Sequence, residues 1–251
     1  MQVGLIGAGN MARGLARGWG EPVLCSDNGS GRARALVDEL GGEALSNLEV
    51  ARRADVVVLC HKPGQLDAVA SELRGEAKAV VSILGARSTE DLERAYPDTP
   101  VMRMMPNTPV EVRRGVTCYA RTPAVEPQLE AEVVALFERL GAVIPLDEGL
   151  IEAATAVSGV GPAYQALLAE AQVDAAVRHG LAAPLAGRLV TETMAGTAVL
   201  LARRDCDTLA VRREVASPGG STARGLAALE GGGVRSAFQD AIDAVMSWSA
   251  H

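Results

Sequence analysis

Two glycine turns lie near the ends of this sequence, and both have the residue types to hold an anion. Near the start, "GLIGAGNMARGLA" sets Gly7-x-Gly9-x-x-Ala12 between an apolar strand-like run and a helix-like run. Gly7 allows a tight turn, Gly9 lets backbone approach a pyrophosphate, and Ala12 permits close helix–strand packing. The N–H groups opening the following helix then face the phosphates. Near the end, "VASPGGSTARGLAALEGGG" places Gly219 and Gly220, with the hydroxyls of Ser217, Ser221 and Thr222, before a second helix-like run. Two readings stand there: free N–H groups aimed at a small anion, or a serine that caps the helix.

Three further places could touch a dinucleotide. Ser26 and Asp27 end the second strand, about twenty residues after the first turn, where an acidic residue takes ribose hydroxyls. Ser26, Asn28, Ser30 and Arg32 could instead surround a 2′-phosphate, and Asp27 or Ser30 could simply cap a helix. Of 24 basic residues only Lys62 and Lys78 are lysines. Lys62, in "CHKPG", ends an apolar strand, where ligands bind in open α/β sheets. Asn107, in "MPNTP", also follows a strand, and its amide suits either a cofactor contact or a turn.

The elements that must position these residues alternate through the first half. "QVGLIGAG", "PVLCS", "ADVVVLC", "KAVVSIL", "TPVMRMM", "GVTCYA" and the segment 142–146 read as strands. Helices are expected over 10–19, 30–40, 89–95 and 128–140. "ADVVVLC" is apolar throughout, as expected of a strand covered on both faces. Repeated strand–helix–strand order predicts a parallel sheet with helices on both sides. After Asp147 the alternation ends, and helices are expected over 162–179, 184–202, 218–229 and 234–248. Residues 1–148 therefore form a dinucleotide-binding α/β domain and 149–251 an all-helical domain.

Composition excludes several classes. The chain has 251 residues, 48% of them hydrophobic, and a net charge of −7. A phosphate-binding surface for nucleic acid needs a basic patch, so no nucleic acid is expected. Apolar runs such as 54–60 fall short of the roughly 20 residues of a membrane helix, so no membrane is expected. The start has no basic region of the signal-peptide kind. Cys25, Cys60, Cys118 and Cys206 are scattered, as are the three histidines, so no metal site is expected. A reducing, cytoplasmic setting fits. His179 and His251 carry no motif, and Tyr164 is expected to pack at a helix start.

The order G-x-G-x-x-A, lysine–proline turn, "MPNTP", "SGVGPAY" (Ser158 to Tyr164) and "SPGGST" (Ser217 to Thr222) resembles the pyrroline-5-carboxylate reductase family over nearly the whole chain. The resemblance implies a Rossmann domain followed by a helical domain that builds a homodimer, or a larger oligomer of dimers. It implies reduction of 1-pyrroline-5-carboxylate to L-proline with NADPH or NADH, the last step of proline biosynthesis. It places cofactor contacts at Gly7, Ala8, Gly9, Asn10 and Met11, at Ser26 and Asn47, at Cys60, His61, Lys62 and Pro63, and at Ile83, Leu84 and Gly85. Asp27 and Asn107 join them from the reading above. It places substrate contacts at Glu148, Val215, Ser217, Gly219, Gly220, Ser221 and Thr222. His61 stands where the family usually has valine, Val160 replaces a small residue, and the segment from Asp205 to Glu214 departs from the family pattern.

That chemistry suits the second turn. A cyclic imine carboxylate needs an anion site, a polar group at its nitrogen and a hydride donor over one face. Gly219 and Gly220 can present N–H groups to the carboxylate, and the Thr222 hydroxyl can bond the ring nitrogen as catalytic residue. The cofactor choice stays open: Asp27 would repel a 2′-phosphate and Arg32 would attract it. Rival readings are a reductase of another cyclic imine, a β-hydroxyacid dehydrogenase-like enzyme and a nucleotide-binding regulator without activity. The second of these would place a catalytic lysine in the helix 162–179, which has none. The run from Leu189 to Ala202 is apolar on more than one face and is expected at the dimer interface.

Overall fold

A computed structural model describes residues 1–73, 75–122 and 125–249. Contacts divide the chain into two compact units, Met1–Pro162 and Ala163–His251.

The first unit is an eight-stranded sheet. Its strands are β1 (Val3–Ile6), β2 (Val23–Ser26), β3 (Gly42–Ala44), β4 (Val56–Leu59), β5 (Val80–Ser82), β6 (Val101–Pro106), β7 (Gly115–Ala120) and β8 (Gly141–Leu146). They lie in the order β3-β2-β1-β4-β5-β6-β7-β8. The chain order turns back beside β1, the switch point at which such sheets bind nucleotides. β1 pairs in parallel with β2 and with β4, Leu5 standing against Cys25 on one side and Val58 on the other.

Helices cover both faces: α1 (Asn10–Trp19), α2 (Arg32–Leu40), α3 (Asn47–Arg53), α4 (Leu66–Leu73), α5 (Thr89–Ala95) and α6 (Pro127–Glu138). The period-2 alternation of strands divides the core. Val56 and Val58 join Leu15, Trp19, Leu36 and Phe137 on one face. Val57 and Leu59 join Val50, Leu66, Leu73 and Leu92 on the other. The Trp19 and Phe137 rings meet edge to face at 5.7 Å, and the Trp19 indole donates to the Leu136 carbonyl at 3.0 Å. Continuous apolar strands are what two covered faces require. A short α7 (Ile151–Ser158) follows β8, and its Ile151 is buried with Met105, Cys118 and Ala120.

The sheet is not wholly parallel, as strand–helix alternation predicted. β7 runs antiparallel to β6, with Arg103 opposite Ala120 and Pro106 opposite Thr117. Only a 3-10 turn, Thr108–Val112, and a left-handed Arg113 (φ 57°) separate them. A parallel crossover needs a dozen or more residues, so β7 must reverse, and β8 follows it in parallel. β3, α3, α4 and α7 were also missed by the periodicity.

The second unit contains α8 (Gly161–Arg178, entering from the first unit), α9 (Ala183–Ala202), α10 (Thr208–Val215), α11 (Ser221–Gly231) and α12 (Val234–Ser249). α10 was not expected, and α11 begins at Ser221, three residues later than predicted. Pro218, Gly219 and Gly220 therefore form a turn before the helix. Tyr164 packs edge to face on Phe238 at 6.2 Å, and His179 is exposed. His251 lies outside the described residues. α9, with mean hydropathy 1.2 and 20 residues, is long and apolar enough by composition to cross a membrane. The sequence reading had found no such segment.

Candidate active site

The β1–α1 turn is built as an anion cradle. Gly7 takes φ +101°, and a Cβ there would lie 2.9 Å from the Cys60 carbonyl and the His61 nitrogen. Only glycine tolerates both conditions. Its N–H bonds the Ser26 carbonyl at 3.1 Å, which ties the turn to β2. Gly9 is the N-cap of α1 and has no side chain to close the helix end. A Cβ on Gly9 would meet nothing within 4 Å, so the space over the turn is open. The first N–H groups of α1 have no intrahelical acceptor and carry the positive end of the helix dipole. Ala8 and Ala12 are buried below. Met11 is half-buried, and the exposed Asn10 accepts from Arg13 at 2.6 Å.

A cavity of ≈ 470 Å³ adjoins this turn. It brings together Gly7, Ala8, Gly9, Asp27, Asn28, Ser30, Arg32, Asn47, Cys60, His61, Lys62 and Pro63, with Gln65 and Val69 completing the wall. Ser26 is buried at its edge and donates to Asn47 Oδ1 at 2.6 Å. Asn47 in turn donates to Glu72 at 2.8 Å. Asp27 is the most heavily bonded residue of the wall. Its carboxylate accepts from the Gly29 N–H, the Ser30 hydroxyl and the Ala33 N–H, each at 2.9 Å. These bonds, led by that of Ala33, hold its carboxyl below the usual range.

His61 Nδ1 lies 2.9 Å from the Lys62 carbonyl. A carbonyl only accepts, so Nδ1 carries the proton and Nε2 is a bare acceptor. Nε2 is buried without a partner, and burial lowers the pKa of the ring. Burial raises the Cys60 thiol well above its ordinary value. At the end of β5 the half-buried Ile83, the buried Leu84 and the half-buried Gly85 lead into Ala86, an alanine at φ 54°.

Arg103 and Glu148 form a second centre in this unit. Arg103, whose side chain is only 3% exposed, donates to Glu148 at 2.7 Å and Glu152 at 2.5 Å. Glu148 also accepts from the Thr89 N–H at 3.0 Å and the Thr89 hydroxyl at 2.7 Å. Burial raises the Glu148 pKa, but the Thr89 bonds and the Arg103 charge outweigh it and the net shift is downward. Asn107 is buried and spent on the frame: it donates to the Ser158 carbonyl at 3.0 Å and accepts from the Val116 N–H at 2.8 Å.

The second glycine turn belongs to the helical unit. Gly219 takes φ +70°, and a Cβ on Gly220 would fall 2.5 Å from Ser217 Oγ. The Gly220 N–H bonds the Ser217 carbonyl at 3.1 Å. Gly220 is the N-cap of α11 and no side chain caps that helix. Ser217 and Ser221 therefore do not serve as its cap, and the N–H groups of Ser221, Thr222 and Ala223 have no intrahelical acceptor. Ser217 and Ser221 are exposed and Thr222 is half-buried. Val215, 62% exposed, ends α10. Glu214 pairs with Arg204 at 2.9 Å.

A family model described as pyrroline-5-carboxylate reductase dimerisation matches residues 148–251. Another, described as NADP oxidoreductase coenzyme F420-dependent, matches residues 2–85. The chain is 37% identical to pyrroline-5-carboxylate reductase from Synechocystis sp., over 97% of this chain and 95% of the other. It is 34% identical to that of Mycobacterium tuberculosis, over 99% and 95%. The chain belongs to the pyrroline-5-carboxylate reductase family. Among solved structures, pyrroline carboxylate reductase of Plasmodium falciparum with NADP bound superposes with a TM-score of 0.90 at 28% identity, covering 99% of this chain and 97% of that one. Likeness to 3-hydroxyisobutyrate dehydrogenase of M. tuberculosis, with a TM-score of 0.51 at 14% identity, extends to the fold alone.

Against this family background, Arg103, Thr89 and Glu152 are the residues that sequence reasoning passed over. The signal for Arg103 was present: a lone charge inside the apolar strand "VMRMM". A cation at such a place needs buried partners. Thr89 and Glu152 carried no comparable signal.

Proposed function

We propose that this chain reduces 1-pyrroline-5-carboxylate to L-proline, the last step of proline biosynthesis, with NADPH or NADH as reductant. The observation that carries this reading is the uncapped N-terminus of α11 behind Gly219 and Gly220, inside the segment matched by the reductase dimerisation model.

The residues of the first unit fit a dinucleotide. The open space over Gly9, the free N–H groups of α1 and the polar cavity beyond suit a pyrophosphate and an adenosine. Gly7 to Met11 would hold the pyrophosphate, and Ser26, Asp27, Asn47 and Cys60 to Pro63 would line the adenosine end. Ile83 to Gly85 would take the nicotinamide end, and Asn107 holds the end of β6 through its bonds to Ser158 and Val116. When bound, the nicotinamide supplies the hydride.

The chain's own work is orientation. The N–H groups behind Gly219 and Gly220, with Ser217 and Ser221, take the substrate carboxylate. The Thr222 hydroxyl bonds the ring nitrogen as it passes from protonated imine to amine. The resemblance adds Val215, at the end of α10, and Glu148, beside Arg103, to the residues expected to contact the substrate. The functional division is 1–148 for cofactor and 149–251 for substrate and dimerisation.

The second unit is completed by another copy of the chain. α9 is only 11% buried in its most apolar stretch. Its Arg188 and Glu192 would be costly at membrane depth, so a protein partner suits it better than lipid. We place the protein in the cytoplasm as a homodimer or an oligomer of dimers, binding neither nucleic acid nor membrane.

Purified protein is expected to oxidise NADPH or NADH only when pyrroline-5-carboxylate is added, and to show no activity with 3-hydroxyisobutyrate and NAD. Absence of imine-dependent oxidation with both cofactors overturns the assignment.

A further inference from the structure

We infer that His61 takes up a proton when the dinucleotide binds, its imidazolium then pairing with the ligand's pyrophosphate. The inference rests on reading the cavity as the cofactor site. It concerns a position where this chain departs from its family, which usually has valine.

The ring is held at one nitrogen and unmet at the other. The Lys62 carbonyl accepts from the Gln65 N–H at 2.9 Å, which closes the turn after β4, and lies 2.9 Å from His61 Nδ1. Arg87 donates to the Pro63 carbonyl at 3.1 Å and ties the same segment from the other side. Nε2 is shielded from solvent with no partner. Buried polar atoms left unmet are uncommon because each costs stability, and valine would carry no such cost.

Where the ring stands shows what can meet it. The Cys60 carbonyl and the His61 nitrogen come within 2.9 Å of a Cβ built on Gly7, the first residue of the anion turn. The His61 side chain is part of the cavity wall beside that turn. A pyrophosphate has acceptors only, so a neutral Nε2 cannot bond it, whereas a protonated Nε2 can donate. A tilt of the ring into the cavity it borders brings Nε2 to a phosphate oxygen.

The surroundings oppose a proton on the ring until the ligand comes. Burial lowers its pKa from the ordinary 6.5. Lys62 on its own segment and Arg32 on α2 are cations of the same wall, and Arg87 adds a third from the loop after β5. Asp27, the acid of the wall, is held by three donors of its own loop. Glu72 on α4 takes a bond from Asn47, and the Cys60 thiol is kept neutral by burial. The two charges of a pyrophosphate reverse this balance. Opposite charge at close range strengthens proton binding by about ten- to a thousandfold.

Calorimetric titration of the full-length protein with ADP-ribose, in buffers of different ionisation enthalpy, reads the proton without any imine or turnover. The pyrophosphate of this probe does not itself titrate near neutrality. Near the ordinary histidine pKa of 6.5, wild type is expected to take up about half a proton per ligand. Its affinity is expected to rise about tenfold from about pH 8 to about pH 5.5. Affinity grows as pH falls because the ring pKa is low in the free protein and higher in the complex. His61→Val is expected to take up no proton and to vary by less than about twofold over the same range. His61→Gln, polar but unable to titrate, is expected to do the same, and decides the matter if valine disturbs the turn. Binding to wild type without proton uptake, or equal uptake by the variants, overturns the inference. Failure of ADP-ribose to bind wild type overturns the reading of the cavity as well. Uptake by a protein inactive on the imine would leave this inference standing while the proposed reaction fell.

Discussion

In Met1–Pro162 the strands are buried on both faces and each face has its own cluster of large apolar side chains. In Ala163–His251 Ala186 and Val211 alone are buried among the described residues. Leu167, Leu185, Leu189, Val199 and Leu229 are each at least 49% exposed. The two units differ in whether they can close a core from their own chain. A sheet with helices on both sides has two interior faces to fill, whereas five helices of one small unit leave apolar surface over. The α/β unit therefore carries a site whose walls are its own, and the helical unit has a surface that calls for a second copy.

The sharpest way to break this comparison is Gly196→Arg. A side chain at Gly196 would meet nothing within 4 Å in the isolated chain, so in the single chain the substitution has room and gains helix propensity. If α9 packs against a partner, an arginine among Ala195, Gly196 and Ala198 blocks the approach. The expected result is complete loss of imine reduction together with loss of the dimer in sedimentation. A soluble, fully active monomer would show that the helical unit needs no second copy.

Thr222→Ala probes the helical unit's own chemistry. Removing one directed hydroxyl is expected to lower kcat/KM by about 10–100-fold, at the low end for a group aimed at changing charge. Affinity for the cofactor, measured by fluorescence titration, should not change, because the cavity belongs wholly to the other unit. Wild-type turnover in this variant removes Thr222 from the site.

How much could be read in advance also separates the two units. Gly7, Gly9 and Ala12 were legible because a tight turn, a close approach and a packing contact each demand a particular residue type. α5 was legible at 89–95, since Ser88 and Asp91 form a capping box around its start. The reversal of β7 was not, because the pattern of an apolar strand is the same in either direction. Ser221 as the start of α11 was hidden by Pro218, which looks like a first-turn proline but precedes the turn. Arg103, Glu148 and Thr89 come from β6, the 3-10 turn after β8 and the start of α5, and only the fold brings them together. Asp27 was legible as a polar residue at the right place, but its three bonds depend on the left-handed glycines around it.

Arg103→Met sharpens the account of the α/β unit. It leaves Glu148 and Glu152 facing each other without their cation. Breaking a buried pair costs several kcal/mol, and with carboxylates about one-third exposed the loss is expected at about 2–3 kcal/mol in denaturant unfolding at neutral pH. The pH dependence has a definite sign. The folded Glu148 pKa is depressed below 4.5, so its contribution is present above that pH and is lost as pH falls through the folded value. The difference between wild type and Arg103→Met should therefore shrink as Glu148 protonates. A difference that grows below pH 4.5 would mean that Glu148 is not held by this cation.

The smallest expected effect lies at Ala86, at the end of β5 beside the proposed nicotinamide contacts. Ala86 takes φ 54°, in the left-handed region, which costs an L-residue roughly 1–2 kcal/mol. Glycine removes that cost but gains entropy in the unfolded chain, which returns part of it. Ala86→Gly is expected to raise stability by up to about 1 kcal/mol, read as a higher denaturation midpoint at unchanged slope. The neighbouring Gly85 does not have this conformation, and a Cβ there would stand in open space. Gly85→Ala should thus be tolerated by the fold while its methyl group projects into space that the cofactor would need. The double exchange is then expected to unfold later than wild type and to bind the dinucleotide more weakly. A double variant that is stabilised without any loss of cofactor affinity would move Gly85 out of the site and leave the strain at Ala86 as a feature of the turn alone.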